Sequence, residues 1–322
     1  GIDTPPGRIA AIAHEAFTEL QSQMNTIAAK IAAERHLPSS DYRDVLAALK
    51  KDQITGDAIM PFYEKRLKEI EAIIREHHLV TLPDRPAIIR LATAAETARQ
   101  PAPHMDPPPF LNNTGQRGSF VLPLNMPASE GKAAESYDDF TYDAIAWPLT
   151  AHEARPGHEL QFDSMLEHGV SLARALFAFN STNAEGWGLY SEAIMVPYMP
   201  PDGQLVALDE RLLRVARAFL DPELQAGKIT PDQAFKVLTH DVGASNAAAR
   251  SEVERYTFQA PGQAISYFYG YTKLIALRSE TEALLGNKFN AQHFHDFLLS
   301  QGLLPPELMR KAVLDDFVPR ER

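Results

Sequence analysis

The chain has 322 residues, no cysteine and a formal net charge of −11 from 31 basic and 42 acidic residues. The missing thiols exclude cysteine catalysis, disulfide frameworks and cysteine-rich metal sites, and the acidic balance argues against a phosphate-tracking nucleic-acid binder, which needs a basic face. Hydrophobic residues make up 45%, enough for a substantial core, and no apolar run reaches the length that spans a membrane.

The chain opens Gly1-Ile2-Asp3-Thr4-Pro5-Pro6, which reads as a loop or a processed end. Residues 8–36 carry Ile9, Ile12, Ala13, Phe17, Leu20, Met24, Ile27 and Ile31 at helical spacing. The His14-Glu15 pair on this helix reads as a surface coincidence, since no histidine follows within a turn or two. His36-Leu37-Pro38-Ser39-Ser40 ends the helix, and Ser40 or Asp41 caps a short helix after it. Residues 56–78 make another helix, with alternating charges from Glu64 to Glu71 as a solvated face and His77-His78 at the C-terminal end of its dipole.

Residues 100–125 are Pro-rich, then turn-like, then a strand from Gly118 to Leu124 whose Pro123 marks it as an edge. Such an edge could pair with an extended peptide; the competing reading is a short hairpin packed on helices. The small β-hairpin or edge strand near 110–125 is thus the one β element expected in a mainly α, multi-helix chain. A boundary near residue 100 separates an N-terminal helical segment, 1–100, from a metal-binding helical region, 101–322, the two forming one continuous domain.

A helix over 141–168 begins near Trp147-Pro148 and carries His152-Glu153-Ala154-Arg155-Pro156-Gly157-His158. Neutral imidazoles hold a metal well, and an adjacent glutamate is placed to take a proton from activated water. The familiar zinc-hydrolase form is H-E-x-x-H, with histidines at i and i+4 on one helix face. Here the spacing is i to i+6, which on a regular helix of roughly 100° per residue leaves the rings about 120° apart. Pro156 cannot donate to the carbonyl of His152 and Gly157 tolerates unusual backbone angles, so a bulged helix could return both rings to one metal. The plain alternative is a helix interrupted by Pro-Gly that carries two ordinary histidines.

After a short apolar helix at 171–180 comes Asn183-Ala184-Glu185-Gly186-Trp187-Gly188-Leu189-Tyr190-Ser191-Glu192. Glu185 and Glu192 share a helix face. Two histidines leave a third ligand to be found; Glu185 is the choice and Glu192 the spare, each otherwise a surface glutamate. Gly186 and Gly188 are poor helix residues, at about 1 kcal/mol each against alanine, and imply close backbone approach. Further helices follow over 206–240, around Asp221-Pro222-Glu223 and a Thr230 N-cap, and over 244–258. Of the alternating Tyr267, Tyr269 and Tyr271, at most one or two reach a site, where a phenol could donate to an oxyanion. Residues 294–299 and 306–314 are packing helices, with His295-Asp296 a possible buried pair.

Four ordered motifs now stand together: His152-Glu153-x-x-Pro156-Gly157-His158-x-x-Gln161; Glu185-Gly186-Trp187-x-Leu189-Tyr190-x-Glu192; Glu254-Arg255-Tyr256 with Pro261-Gly262-Gln263-Ala264-x-Ser266-Tyr267; and Phe294-His295-Asp296 with Gly302-x-x-Pro305. Spread over about half the chain, they resemble the bacterial domain-of-unknown-function family 885, which is similar to the mostly helical gluzincin-type zinc peptidases. The resemblance implies a gluzincin-like fold, Zn2+ as cofactor, His152, His158 and Glu185 as its ligands, Glu153 as general base, Tyr267 as oxyanion donor, and Arg255 or Tyr256 near a peptide or peptide-like substrate. It covers the C-terminal part of usually longer members, so an N-terminal half of the same protein is a possible partner. Where many members show an Asp-x-Gly-x-His run this chain reads Asp221-Pro222-Glu223-Leu224-Gln225, which keeps a hydrogen-bonding group but no proton carrier. The expected function is zinc-dependent hydrolysis of peptide or related amide bonds; the alternative is a non-catalytic binding or structural helical protein on the same fold. Location is extracytoplasmic if a leader was removed and cytoplasmic otherwise.

Overall fold

The computed structural model describes residues 3–100, 102–123 and 138–322. The protein is mainly helical with one small three-stranded sheet. Helix α1 (Pro6–Glu34) buries Ala13, Met24, Ala28 and Ile31 completely, each large side chain contributing about 1.5–3 kcal/mol. It stops where His36 takes a left-handed φ of 53°. Asp41 then caps α2 (Tyr42–Leu49) by accepting from the backbone N–H of Arg43 at 2.9 Å. Helix α3 (Ile59–Glu76) ends in the same way as α1, with His78 at a φ of 50°, and His77 stacks on Tyr198 at 4.2 Å.

The sheet consists of β1 (Ile89–Leu91), β2 (His104–Asp106) and β3 (Ser119–Leu122), with α4 (Ala94–Arg99) between the first two. Its order is β1-β3-β2, parallel on one side of β3 and antiparallel on the other. The strand expected at an edge is therefore the centre. All four of its residues are buried, and Pro123 lies one residue past its end, where no ladder hydrogen bond is lost. Leu124, the last residue expected in this strand, lies outside the described residues.

Helices α5 (Ala146–Glu153), α6 (His158–Glu167), α7 (Leu172–Phe177) and α8 (Ser181–Met195) follow. The expected bulged helix is instead two helices with a four-residue break, Ala154 to Gly157, containing a cis Arg155–Pro156 bond. A side chain at position 157 would sit 1.8 Å from the carbonyl oxygen of His152, so only glycine lets α6 start against the end of α5. The long α9 (Pro201–Gln225) lies along α1 and runs past α5. Thr230 and Gln233 form a capping box on α10 (Pro231–Lys236), and α11 (Asn246–Glu254) continues into a π-turn at Arg255–Gln259.

Helix α12 (Ile265–Leu285) packs closely on α8. A Cβ on Gly186 would meet the backbone of Gly270 at 2.6 Å, and one on Gly270 would meet the carbonyl oxygen of Thr182 at 1.9 Å. The helices touch main chain to main chain, the close approach expected of Gly186; Gly188 faces a side chain, the His152 ring, instead. Helices α13 (Ala291–Ser300), α14 (Pro306–Ala312) and α15 (Val318–Glu321) close the structure. His295 does not pair with Asp296. It donates from Nδ1 to the carbonyl of Leu79 at 2.6 Å and its Nε2 accepts from Tyr190 at 2.8 Å, while Asp296 accepts from the N–H and hydroxyl of Thr81. Together they clamp the chain leaving α3. No described helix is long and apolar enough to cross a membrane.

Candidate metal centre

His152 ends α5, His158 begins α6 and Glu185 stands on α8. Break and crossing together turn the three toward one point. One Glu185 oxygen, Oε2, lies 3.8 Å from His152 Nε2 and 3.5 Å from His158 Nε2. The rings are perpendicular with centroids 4.7 Å apart. This is the cluster of three potential ligands found among the described residues.

Each imidazole is held from behind. Glu192 accepts from His152 Nδ1 at 2.6 Å, and Gln161 accepts from His158 Nδ1 at 3.2 Å. Both contacts put a ring proton on Nδ1 and turn Nε2 toward Glu185, the arrangement by which metal-binding histidines are oriented. Gln161 in turn donates to Asn183 at 3.1 Å, and Asn183 donates to the carbonyl of Leu304 at 2.7 Å. Trp187 fixes the helix break by donating to the carbonyl of Pro156 at 3.0 Å. A Cβ on Gly188 would lie 2.5 Å from the His152 ring, so that glycine is the seat of the imidazole. The alternatives left open in sequence are distinguished by place: Glu185 faces both Nε2 atoms, and Glu192 stands behind His152.

The site is rich in negative charge. Glu153, Glu185 and Glu192 surround two imidazoles, and the buried Oε2 atoms of Glu153 and Glu192 have no hydrogen-bond partner. Burial works against the imidazolium of His152, yet Glu185 and Glu192 outweigh it and hold its pKa at about 9. Burial likewise opposes ionisation of Glu185, but the two histidines keep it well below the ordinary carboxylate range. Two imidazoles and a carboxylate are a zinc donor set that leaves a coordination position open. Ligands about 2.0–2.1 Å from a tetrahedral zinc lie about 3.3 Å from one another, close to the two imidazole–carboxylate separations of 3.5 and 3.8 Å here. The orphaned carboxylate oxygens and the excess negative charge also call for a cation. The residues fit the group.

Tyr267, on the first turn of α12, is within electrostatic reach of Glu185. Burial, reinforced by Glu185, raises its pKa above that of an ordinary phenol. Its hydroxyl accepts from Arg255 at 3.0 Å and Arg217 lies over its ring at 4.5 Å. Tyr256 is fully buried and donates to Glu252 at 2.7 Å, so it supports the site from within. Gln225, at the departure from the family pattern, donates to the carbonyl of Tyr256 at 2.6 Å. Tyr269 and Tyr271 face other partners, Asp3 and Arg211.

Sequence reasoning missed Arg155, which is completely buried and donates to Glu159 at 2.9 Å and Glu71 at 2.6 Å, stapling the break to α3. It also missed Arg214 and Arg217 on α9, both buried. Their one signal was two arginines three apart within an otherwise apolar helical run.

A family model described as bacterial protein of unknown function (DUF885) matches residues 1–313. No curated protein matches the sequence. A solved structure titled as a "putative lipoprotein of unknown function" from Shewanella oneidensis aligns with a TM-score of 0.82 at 22% identity, over 97% of this chain and 57% of its own. A second, titled as "the putative lipoprotein" from Colwellia psychrerythraea, aligns with a TM-score of 0.80 at 22% identity, over 99% of this chain and 53% of its own. At such identity the likeness shows the fold, and this chain spans a little over half the length of either structure.

Proposed function

The chain belongs to the bacterial DUF885 family, and from that premise we propose that it is the metal-binding part of a zinc-dependent hydrolase acting on peptide or related amide bonds. One observation carries the reading: two imidazoles and a carboxylate converge, with the Glu153 carboxylate buried beside them and one of its oxygens unpartnered. His152, His158 and Glu185 would hold the ion. When bound, a zinc ion supplies Lewis acidity, polarising the scissile carbonyl and making water acidic enough to attack at neutral pH.

The remaining work falls to the chain. Glu153 takes the attacking water's proton through its free oxygen and hands it to the leaving amine. Arg255 donates to Tyr267 from one side, so the phenolic proton points away from Arg255 and is available to an oxygen on which negative charge develops. Glu192 and Gln161 hold the two imidazoles in the tautomer that coordination needs. An extracytoplasmic location belongs to the same proposal, supported by the titles of the two solved structures.

The test is Glu153→Gln with zinc content and peptide turnover measured together. Loss of at least about 100-fold in turnover, with zinc retained, is expected. Turnover that survives the substitution would remove Glu153 from the mechanism and favour a non-catalytic or differently catalysed role.

A further inference from the structure

Two guanidinium groups, from Arg217 and Arg255, lie over the Tyr267 ring in a chain whose net charge is −11, with Arg214 one turn before Arg217 on α9. Two of the three have a carboxylate of their own. Arg217 makes two bonds of 2.7 Å to Glu252, and Arg214 pairs with Glu210. Arg255 differs. Its hydrogen-bond partners are neutral, Gln263 and the Tyr267 hydroxyl. The Glu252 oxygen 3.6 Å away already accepts from Arg217, and the other Glu252 oxygen accepts from Tyr256. The Arg255 side chain also keeps 22% of its exposure, against 9% for each of the other two. It is the most exposed of the three, and its ion pair is a long contact to a carboxylate that Arg217 already engages more closely.

We propose that Arg255 receives the C-terminal carboxylate of a peptide, so that the enzyme is a carboxypeptidase. This rests on the hydrolase reading above. In that reading Tyr267 faces the oxygen of the reacting carbonyl, and Arg255 is 3.0 Å from the Tyr267 hydroxyl. One extended residue spans about 3.3–3.6 Å, so a carboxylate one residue beyond the scissile bond comes within reach of the guanidinium. An internal residue would offer a neutral amide there and leave the cation with only its share of Glu252. Arginine suits the task because its fork meets both oxygens of a carboxylate. In the reaction the last peptide C–N bond breaks, the water oxygen joins the acyl carbon, and the leaving nitrogen gains the proton. The products are a peptide shortened by one residue, ending in a new carboxylate, and a free amino acid.

The experiment uses zinc-supplemented protein and a library of N-acetylated tetrapeptides, prepared both as free acids and as C-terminal amides, with products read by mass spectrometry. Binding of the same peptides to the Glu153→Gln variant is measured in parallel. Free acids should lose their last residue with kcat/KM at least about 10-fold above the amides, a step the size of one charge-assisted hydrogen bond. They should also bind Glu153→Gln more tightly by a similar factor. Arg255→Gln should raise KM for the acids and abolish the preference, and Arg255→Lys should restore part of it. Equal cleavage of acids and amides, or internal cuts indifferent to the terminus, overturns the proposal and leaves the hydrolase reading standing. Equal kcat losses on both peptide sets in Arg255→Gln reduce Arg255 to a positioning residue for Tyr267 and also overturn it. No cleavage of either set by zinc-loaded protein overturns both. The acid–amide comparison on the unaltered chain needs no variant to fold.

Discussion

Glu192 decides which nitrogen of His152 faces Glu185. By accepting from Nδ1 at 2.6 Å it fixes the tautomer and makes Nε2 the better donor, an effect whose loss costs 10–100-fold in metal affinity in comparable sites. Glu192→Gln should therefore weaken zinc binding by about that factor, measured by competition with a chromogenic chelator, whereas Glu185→Gln should weaken it further; equal affinity in Glu192→Gln would separate that carboxylate from the metal centre. Gly188→Ala should have a similar effect by a different route, since the new methyl would press on the His152 ring. The candidate ligands were legible because their residue types and order are unusual. Arg214 and Arg217 were not, because an arginine repeated on a helix looks the same whether it meets water or a buried glutamate.

At the scale of elements, the site depends on a helix break and a helix crossing. The pattern of His152 to His158 indicated that the helix was disturbed, and Pro156-Gly157 indicated where. It did not reveal that α5 and α6 are separate, because that outcome depends on tertiary anchors: Arg155 held by Glu159 and Glu71, and Trp187 held on Pro156. The central position of β3 was hidden for a related reason. Its partners β1 and β2 are three residues each, too short to show a period. The α8–α12 crossing yields a direct prediction. Gly186→Ala gains about 1 kcal/mol of helix propensity at an open position, but here its Cβ would lie 2.6 Å from the Gly270 backbone. Overpacking of that kind costs about 1–3 kcal/mol. A fall in Tm of up to about 3 °C, with weaker zinc binding because α8 carries Glu185, is expected by calorimetry and chelator competition. An unchanged or raised Tm would mean that the crossing yields without cost.

At the scale of the whole molecule, two buried groups tilt stability against pH in opposite directions. Burial lowers the pKa of His295 to about 4 from the ordinary 6.5, with Arg278 adding to the effect against the opposing bond to Leu79. The unfolded chain binds the extra proton, so this contribution is full above pH 6.5 and is lost as pH falls toward 4, on the order of 3 kcal/mol. Burial raises Asp209 to about 7 from 3.8, with Asp139 adding to it and Lys50 and Arg214 opposing it. The folded chain keeps the proton, so this contribution is full below pH 3.8 and is lost as pH rises toward 7, on the order of 4 kcal/mol. Between about pH 4 and 6.5 the two slopes oppose each other. Denaturant unfolding across that range should show stability rising more steeply with pH in Asp209→Asn than in the parent, and falling with pH in His295→Gln. Parallel profiles in all three would remove both groups from the balance.

The mainly helical architecture and its glycine-mediated packing followed from periodicity and composition, and the convergence of α5, α6 and α8 on one point gives the account its centre. The measurement that bears on it most directly is elemental analysis of the purified chain after zinc loading and desalting, beside His158→Ala. About one zinc per chain, lost in the variant while its helical circular dichroism persists, is the predicted result. A folded parent chain that holds no zinc, or a variant that holds as much, would contradict the metal centre and the hydrolase built on it.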